Sequence, residues 1–122
     1  MNEMKHIPAK SFRDLIVWQK AHQLVLSIYR MTKQFPKEEI YGLTSQIRRS
    51  SVSVTANIAE AFKKKSALDK LRILNISQGS LSETEYFLVL SQDLNYGETN
   101  SLVNLADEVS RLLENYMKAI KK

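Results

Sequence analysis

The sequence predicts an all-α fold, an antiparallel up-down four-helix bundle, and three observations carry that prediction. Apolar residues recur at three- and four-residue spacing through four separate stretches. Only three glycines and two prolines interrupt 122 residues, so long helices run unbroken. The few breaks fall between the periodic stretches and leave short connections, which set consecutive helices antiparallel. With 43% hydrophobic residues the chain has the composition of one globular domain with a real core.

Residues 1–10 show no periodicity and read as a flexible tail, with the bundle occupying 11–122. Ser11-Phe12-Arg13-Asp14 matches a helix-opening capping box. Helix 1 is therefore expected over about 14–34, with Leu15, Trp18, Ala21, Val25 and Ile28 on one face and Pro36 barring continuation beyond Phe35. Helix 2 is expected over about 41–64, striped by Leu43, Ile47, Val54, Ile58 and Phe62. Small residues around that stripe, Ser50, Ser51, Ser53, Ala56 and Ala59, would let a neighbouring helix approach closely.

Ser66-Ala67-Leu68-Asp69 forms a second capping box and opens helix 3, expected over 67–94. This helix carries two apolar stripes, Leu71, Leu74, Leu81 and Leu88 on one side and Ile73, Ile76, Phe87, Leu90 and Leu94 on another. A helix apolar on both sides is either deeply buried or shared with another subunit. Asn95-Tyr96-Gly97 is a stop signal, with Gly97 available for the left-handed position. Helix 4 is expected over 100–120, with Leu102, Leu105, Val109, Leu112, Tyr116 and Ile120 as its stripe.

The residues needed for catalysis are scarce. There is no cysteine, which removes disulfides and thiolate metal sites and agrees with a reducing compartment. The two histidines, His6 and His22, are too few for a multi-histidine centre. Glu3 and His6 have Glu-x-x-His spacing, but a di-iron bundle needs a second copy and further glutamates. His22 lies beside the apolar face of helix 1, where a structural role outweighs a general base. No glycine-rich phosphate loop is present, and Glu83 and Glu85, two apart on a helix, diverge. An enzyme, a cofactor and a metal are all unexpected. The N-terminus has no signal-peptide pattern, and the longest strictly apolar runs, Leu15 to Trp18 and Phe87 to Leu90, are far too short for a membrane span, so a cytoplasmic protein is expected.

Charge is the remaining signal. Residues 1–65 carry twelve Lys/Arg against five Asp/Glu, and residues 66–122 carry six against eight. A basic half attracts polyanions, nucleic acid above all, although ordinary solubility charge gives the same count. Arg48 and Arg49 diverge by about 100° on a helix, so one can reach inward to Glu60, Glu83 or Glu85 while the other meets solvent or phosphate. Lys63-Lys64-Lys65 either complements the helix dipole or forms a phosphate-contacting corner with Lys70, Arg72 and an arginine of helix 2. Lys20 is a further candidate contact. Trp18 and Tyr41 can stack bases, though aromatics in amphipathic helices are more often core.

The strings Phe12-Arg13-Asp14-Leu15-Ile16-Val17-Trp18-Gln19-Lys20-Ala21, Phe35-Pro36-Lys37-Glu38-Glu39, Tyr41-Gly42-Leu43-Thr44-Ser45-Gln46-Ile47-Arg48-Arg49-Ser50, Asn57-Ile58-Ala59-Glu60 and Gly79-Ser80-Leu81-Ser82-Glu83 occur in that order. Together they resemble the bacterial four-helix-bundle family encoded in intervening sequences of 23S rRNA genes, over about residues 12–120. The resemblance implies a four-helix protomer and a ring-shaped homopentamer. It also implies kinship with the accessory protein of diversity-generating retroelements, which binds nucleic acid and a reverse transcriptase. The family's link to ribosomal RNA is mainly where its genes lie. One departure stands out: Ala61 replaces the glycine usual after Asn-Ile-Ala-Glu, so helix 2 is expected to extend further and shift the Lys63 to Lys65 corner. The expected function is a non-enzymatic, basic, homo-oligomeric nucleic-acid-binding protein, RNA preferred on family grounds. The alternative is a protein-interaction scaffold or accessory subunit of a nucleic-acid enzyme such as a reverse transcriptase.

Overall fold

The computed structural model describes residues 8–122. The Glu3 and His6 pair and most of the expected tail lie outside them. Four helices, α1 (Ile16–Thr32), α2 (Leu43–Lys63), α3 (Ala67–Asp93) and α4 (Asn100–Lys121), form the bundle, and no strand occurs among the described residues. α1 and α3 run one way and α2 and α4 the other.

The helix ends follow from local chemistry. The Ser11 capping box exists, with Ser11 Oγ accepting from the Arg13 N–H and Asp14 accepting from the Lys10 and Ser11 N–H groups, but it closes a 3-10 turn over Phe12–Asp14. Leu15 is extended after it, so α1 starts two residues later than expected. α1 also stops two residues early, at Thr32, and a second 3-10 turn, Lys37–Glu39, leads into α2. Ser66 caps α3 by accepting the Asp69 N–H at 3.0 Å. At the far end of α3 the left-handed residue is Asn95, φ 60°, and not Gly97. The Tyr96 N–H reaches back to the Ser91 carbonyl and the Asn95 N–H to that of Gln92, the bonding of a Schellman turn. Asparagine tolerates this conformation, which leaves Gly97 free to sit against Met31.

The core is built from Leu24, Ile28, Ile47, Val54, Ile58, Leu74, Leu88, Val109 and Leu113, all fully buried. Each such aliphatic side chain contributes about 1.5–3 kcal/mol relative to leaving it in water. Two stripes differ from the sequence expectation. In α4 the buried row is Leu102, Ala106, Val109, Leu113 and Met117, while Leu105, Leu112, Tyr116 and Ile120 flank it half-buried. In α3 Ile73 joins Leu74 in the core, and the rest of the second stripe, Ile76, Phe87, Leu90 and Leu94, stays wholly or partly exposed.

The α2–α3 contact is the most extensive in the bundle. Small polar residues permit it: Ser50 meets Thr84 and Ser53 meets Ser80, each at 2.8 Å, and Ser77 donates to the Val54 carbonyl at 2.9 Å. Thr84 also bonds the Ser80 carbonyl, so the buried hydroxyls are satisfied. Of the small residues noted in helix 2, Ser50 and Ser51 are buried, whereas Ala56 faces solvent.

Candidate nucleic-acid interface

The antiparallel topology converts a charge asymmetry along the sequence into one between the ends of the bundle. The end of α2, the start of α3 and the end of α4 come together, and the first 3-10 turn lies there against α1 and α2. Lys63, Lys64, Lys65, Lys70 and Arg72 are thereby joined by Lys118, Lys121 and Lys122, and by Lys10 and Arg13. Asp14, Glu60, Asp69 and Glu114 are the acidic side chains of this end among the described residues. The C-terminal lysines belong to the half of the sequence with the acidic balance, so a count by halves hides them.

The residues at this end play different parts. Lys70 reaches back to α2, its Nζ donating to the Ala61 and Phe62 carbonyls at 3.2 and 3.0 Å and lying 5.7 Å from the Phe62 ring centre. It satisfies carbonyls that a helix end otherwise leaves open, which gives it a structural part beside the phosphate contact expected of it. Lys70 thus takes the helix-end role weighed for Lys63 to Lys65. None of the three has a carboxylate within 4.0 Å among the described residues, and Lys63 and Lys65 are exposed. Arg72 sits 3.9 Å from Asp69 and Lys118 3.9 Å from Glu114, both pairs well solvated and weak. Ala61 is fully buried within α2, and the helix runs two residues past it to end at Lys63, one residue short of the expected end.

The other candidates lie elsewhere. Lys20 pairs with Glu108 of α4 at 3.6 Å, tying α1 to α4. Arg48 and Arg49 sit near the opposite end and point to different neighbours. Arg48 crosses to α1, with Nε donating to Thr32 Oγ1 at 2.8 Å, Nη2 to the Tyr29 carbonyl at 3.4 Å, and its guanidinium 4.5 Å from the Tyr29 ring centre. Arg49 crosses to α3 and pairs with Glu83 at 2.9 Å. The expected inward ion pair is therefore corrected: the paired arginine is the exposed one, and the half-buried one holds a hydroxyl and a carbonyl. Glu60 pairs with neither. Glu85 faces α4, where burial and then the Asp107 charge push its carboxyl up. It lines an open groove of about 290 Å³ with Ser82 and Ser110, and no set of residues suited to holding a metal ion exists among the described residues.

The aromatics also separate. Trp18 stacks on His22 at 4.8 Å and meets Phe12 edge-on at 5.0 Å, so it and His22 are occupied structurally. Tyr41 is 93% exposed and is not core. At its end of the bundle Glu39 accepts from the Leu43 N–H at 3.0 Å and from the Tyr96 hydroxyl at 2.8 Å. These bonds hold the Glu39 carboxyl below its ordinary value and, from the other side, raise the Tyr96 phenol. No helix among the described residues is long and apolar enough to cross a membrane.

Comparison with known proteins agrees with this architecture. The sequence matches the 23S rRNA-intervening sequence protein family over residues 13–115. A crystal structure of a protein of unknown function from the S23 ribosomal protein family of Bacteroides thetaiotaomicron VPI-5482 is similar, at 31% identity and a TM-score of 0.77, covering 84% of this chain and 96% of that one. No curated protein matches.

Proposed function

The chain belongs to the 23S rRNA-intervening sequence protein family, and from that premise we propose that it is a non-enzymatic nucleic-acid-binding protein that works as a homo-oligomer, with RNA favoured over DNA. The observation that carries this is the basic end: Lys63, Lys64 and Lys65 without carboxylate partners among the described residues, alongside Lys121 and Lys122 from a distant part of the chain. Unpaired, solvated cations are what phosphate contact requires, since neutralising a phosphate releases its counterions. Self-association is supported by the outer side of α3, where Ile76, Tyr86 and Val89 are 49, 58 and 52% exposed. A closed ring, such as the pentamer implied by the family resemblance, would repeat the basic end once per subunit and reinforce contacts too weak singly. Cytoplasmic residence fits a chain without cysteine.

Fluorescence anisotropy against unrelated RNA and DNA oligonucleotides, at several salt concentrations, tests this. The logarithm of affinity should fall linearly with that of salt, by about 0.7 per single-strand phosphate neutralised. Replacing Lys63, Lys64 and Lys65 together by glutamine should weaken binding and flatten the slope. No binding at low salt would favour instead a scaffold or accessory subunit docking through the apolar side of α3. Light scattering tests the oligomer, and a monomeric mass would remove it.

A further inference from the structure

At the end of the bundle away from the lysine corner, the α1–α2 connection folds over a cavity of about 170 Å³. Phe35, Pro36 and Ile40 give it an apolar wall, and Lys33, Lys37 and Arg48 give it three cations, none within 4.0 Å of a carboxylate among the described residues. Arg48 spends Nε and Nη2 on α1 and leaves Nη1 without a protein partner. The start of α2 lies beside it. Gly42 supplies no side-chain cap, Glu39 takes the Leu43 N–H, and the N–H groups of Thr44 and Ser45 have no partner among the described residues. A helix start with open N–H groups favours an anion.

An independent observation points the same way. Thr44 lines this cavity and is only 5% exposed, yet its hydroxyl makes no hydrogen bond among the described residues. No fully buried side-chain polar atom among them lacks a partner, so the hydroxyl must border open space, and the cavity is that space. Thr32, on the opposite wall, is fully used: it donates to the Ile28 carbonyl and accepts from Arg48.

We propose that this cavity is a binding site for the phosphate of a nucleoside 5′-monophosphate, free or at the 5′ end of a strand, with the base stacking on Tyr41. Size selects a head group, because sites that engulf a whole small molecule run to about 300–1,000 Å³. Arg48 supplies the Nη1 amino group that its bonds to α1 leave open, Lys33 and Lys37 supply charge, and Thr44 donates its hydroxyl. Tyr41 follows Ile40, which lines the cavity, in the chain, and its exposed ring offers a face of the kind that bases stack on. The site is separate from the basic end and does not depend on it.

Calorimetric titration with adenosine 5′-monophosphate, adenosine, inorganic phosphate and acetate tests the site. The monophosphate should bind saturably and most tightly, inorganic phosphate more weakly, and adenosine and acetate not measurably. Thr44→Val and Arg48→Lys should each cost roughly tenfold in monophosphate affinity. Tyr41→Ala, at a position too exposed to unfold the chain, should weaken the monophosphate while leaving inorganic phosphate unchanged. Replacing Lys63, Lys64 and Lys65 by glutamine should change neither, which separates this site from the lysine corner. A 5′-phosphorylated oligonucleotide should bind more tightly than its 5′-hydroxyl twin; equal binding, with the monophosphate still bound, assigns the site to the free nucleotide. Absence of saturable monophosphate binding, acetate binding as well as the monophosphate, or Thr44→Val and Arg48→Lys both matching wild type would overturn the proposal.

Discussion

Both ends of the bundle gather cations, but at the α1–α2 end Glu38, Glu39, Asp93 and Glu98 balance them. At the α1–α2 turn a cation is built into the structure: Arg48 fastens α2 to the last turn of α1, and nearby Glu39 joins α2 to the Tyr96 loop. At the lysine end one cation, Lys70, closes the helix terminus, and Lys63 to Lys65 remain unpaired among the described residues. Arg48 and Lys70 are held in place because hydroxyl or carbonyl oxygens lie within their reach. Adjacent arginines can therefore differ more than residues at opposite ends.

The largest stability effect should come from Arg48→Ala, at about 2 kcal/mol, because hydrogen bonds from a charged donor and a cation–π contact are lost together. Arg49→Ala, which breaks a surface pair, should cost below about 1 kcal/mol. Thermal melts of the two variants rank them, and the reverse order would erase the distinction drawn between the arginines.

Next comes Tyr96→Phe, which removes the hydrogen bond to Glu39. The folded Glu39 carboxyl is depressed, so its contribution is complete above the ordinary glutamate value, about 4.3, and fades as pH falls through the lower folded value. The folded Tyr96 phenol is raised, so its contribution is complete below about 10 and fades as pH rises through the higher folded value. Melting temperature against pH should show both limbs in the wild type. The variant should melt lower at neutral pH, with both limbs shallower, the alkaline one persisting in part because burial also raises the Tyr116 phenol; unchanged limbs would mean that this link carries no stability.

A smaller effect of opposite sign belongs to Glu85. Burial raises its folded pKa, so its contribution is favourable below the ordinary glutamate value and lost as pH rises through the folded one. Glu85→Gln should therefore raise the melting temperature slightly at neutral pH and leave it unchanged in acid. Smallest of all, glutamine at Lys63, Lys64 and Lys65 should leave the melt where it is. A large drop would show these lysines to be structural, as Arg48 is.

Much of the fold was legible because its stops are chemically strong: Pro36, the Ser66 cap and the Asn95 turn place helix ends within about two residues. The exact buried row of α4 was not, since Leu105 and Leu112 keep the same spacing as Ala106 and Leu113 and only the neighbouring helices choose between them. The candidate site was half legible. Lys63 to Lys65 are visible as a run, but Lys118, Lys121 and Lys122 join them only through the antiparallel topology. Lys70 looks like any surface lysine until the α2 carbonyls lie beneath it. Thr44 gave no signal, because an unmatched hydroxyl is a property of its surroundings.

The serine and threonine contacts between α2 and α3 also constrain how this protein can change over generations. An all-leucine seam would tolerate a slide of one helix along the other, because one apolar contact substitutes for the next. Here a slide would part Ser50 from Thr84 and take Ser77 away from the Val54 carbonyl, its partner in a buried place. A hydroxyl lost at position 50 leaves Thr84 with the Ser80 carbonyl alone, so the two positions influence one another as they drift. Since the start of α3 carries Lys70 to the end of α2, that shared inheritance also preserves the spacing of the lysine corner.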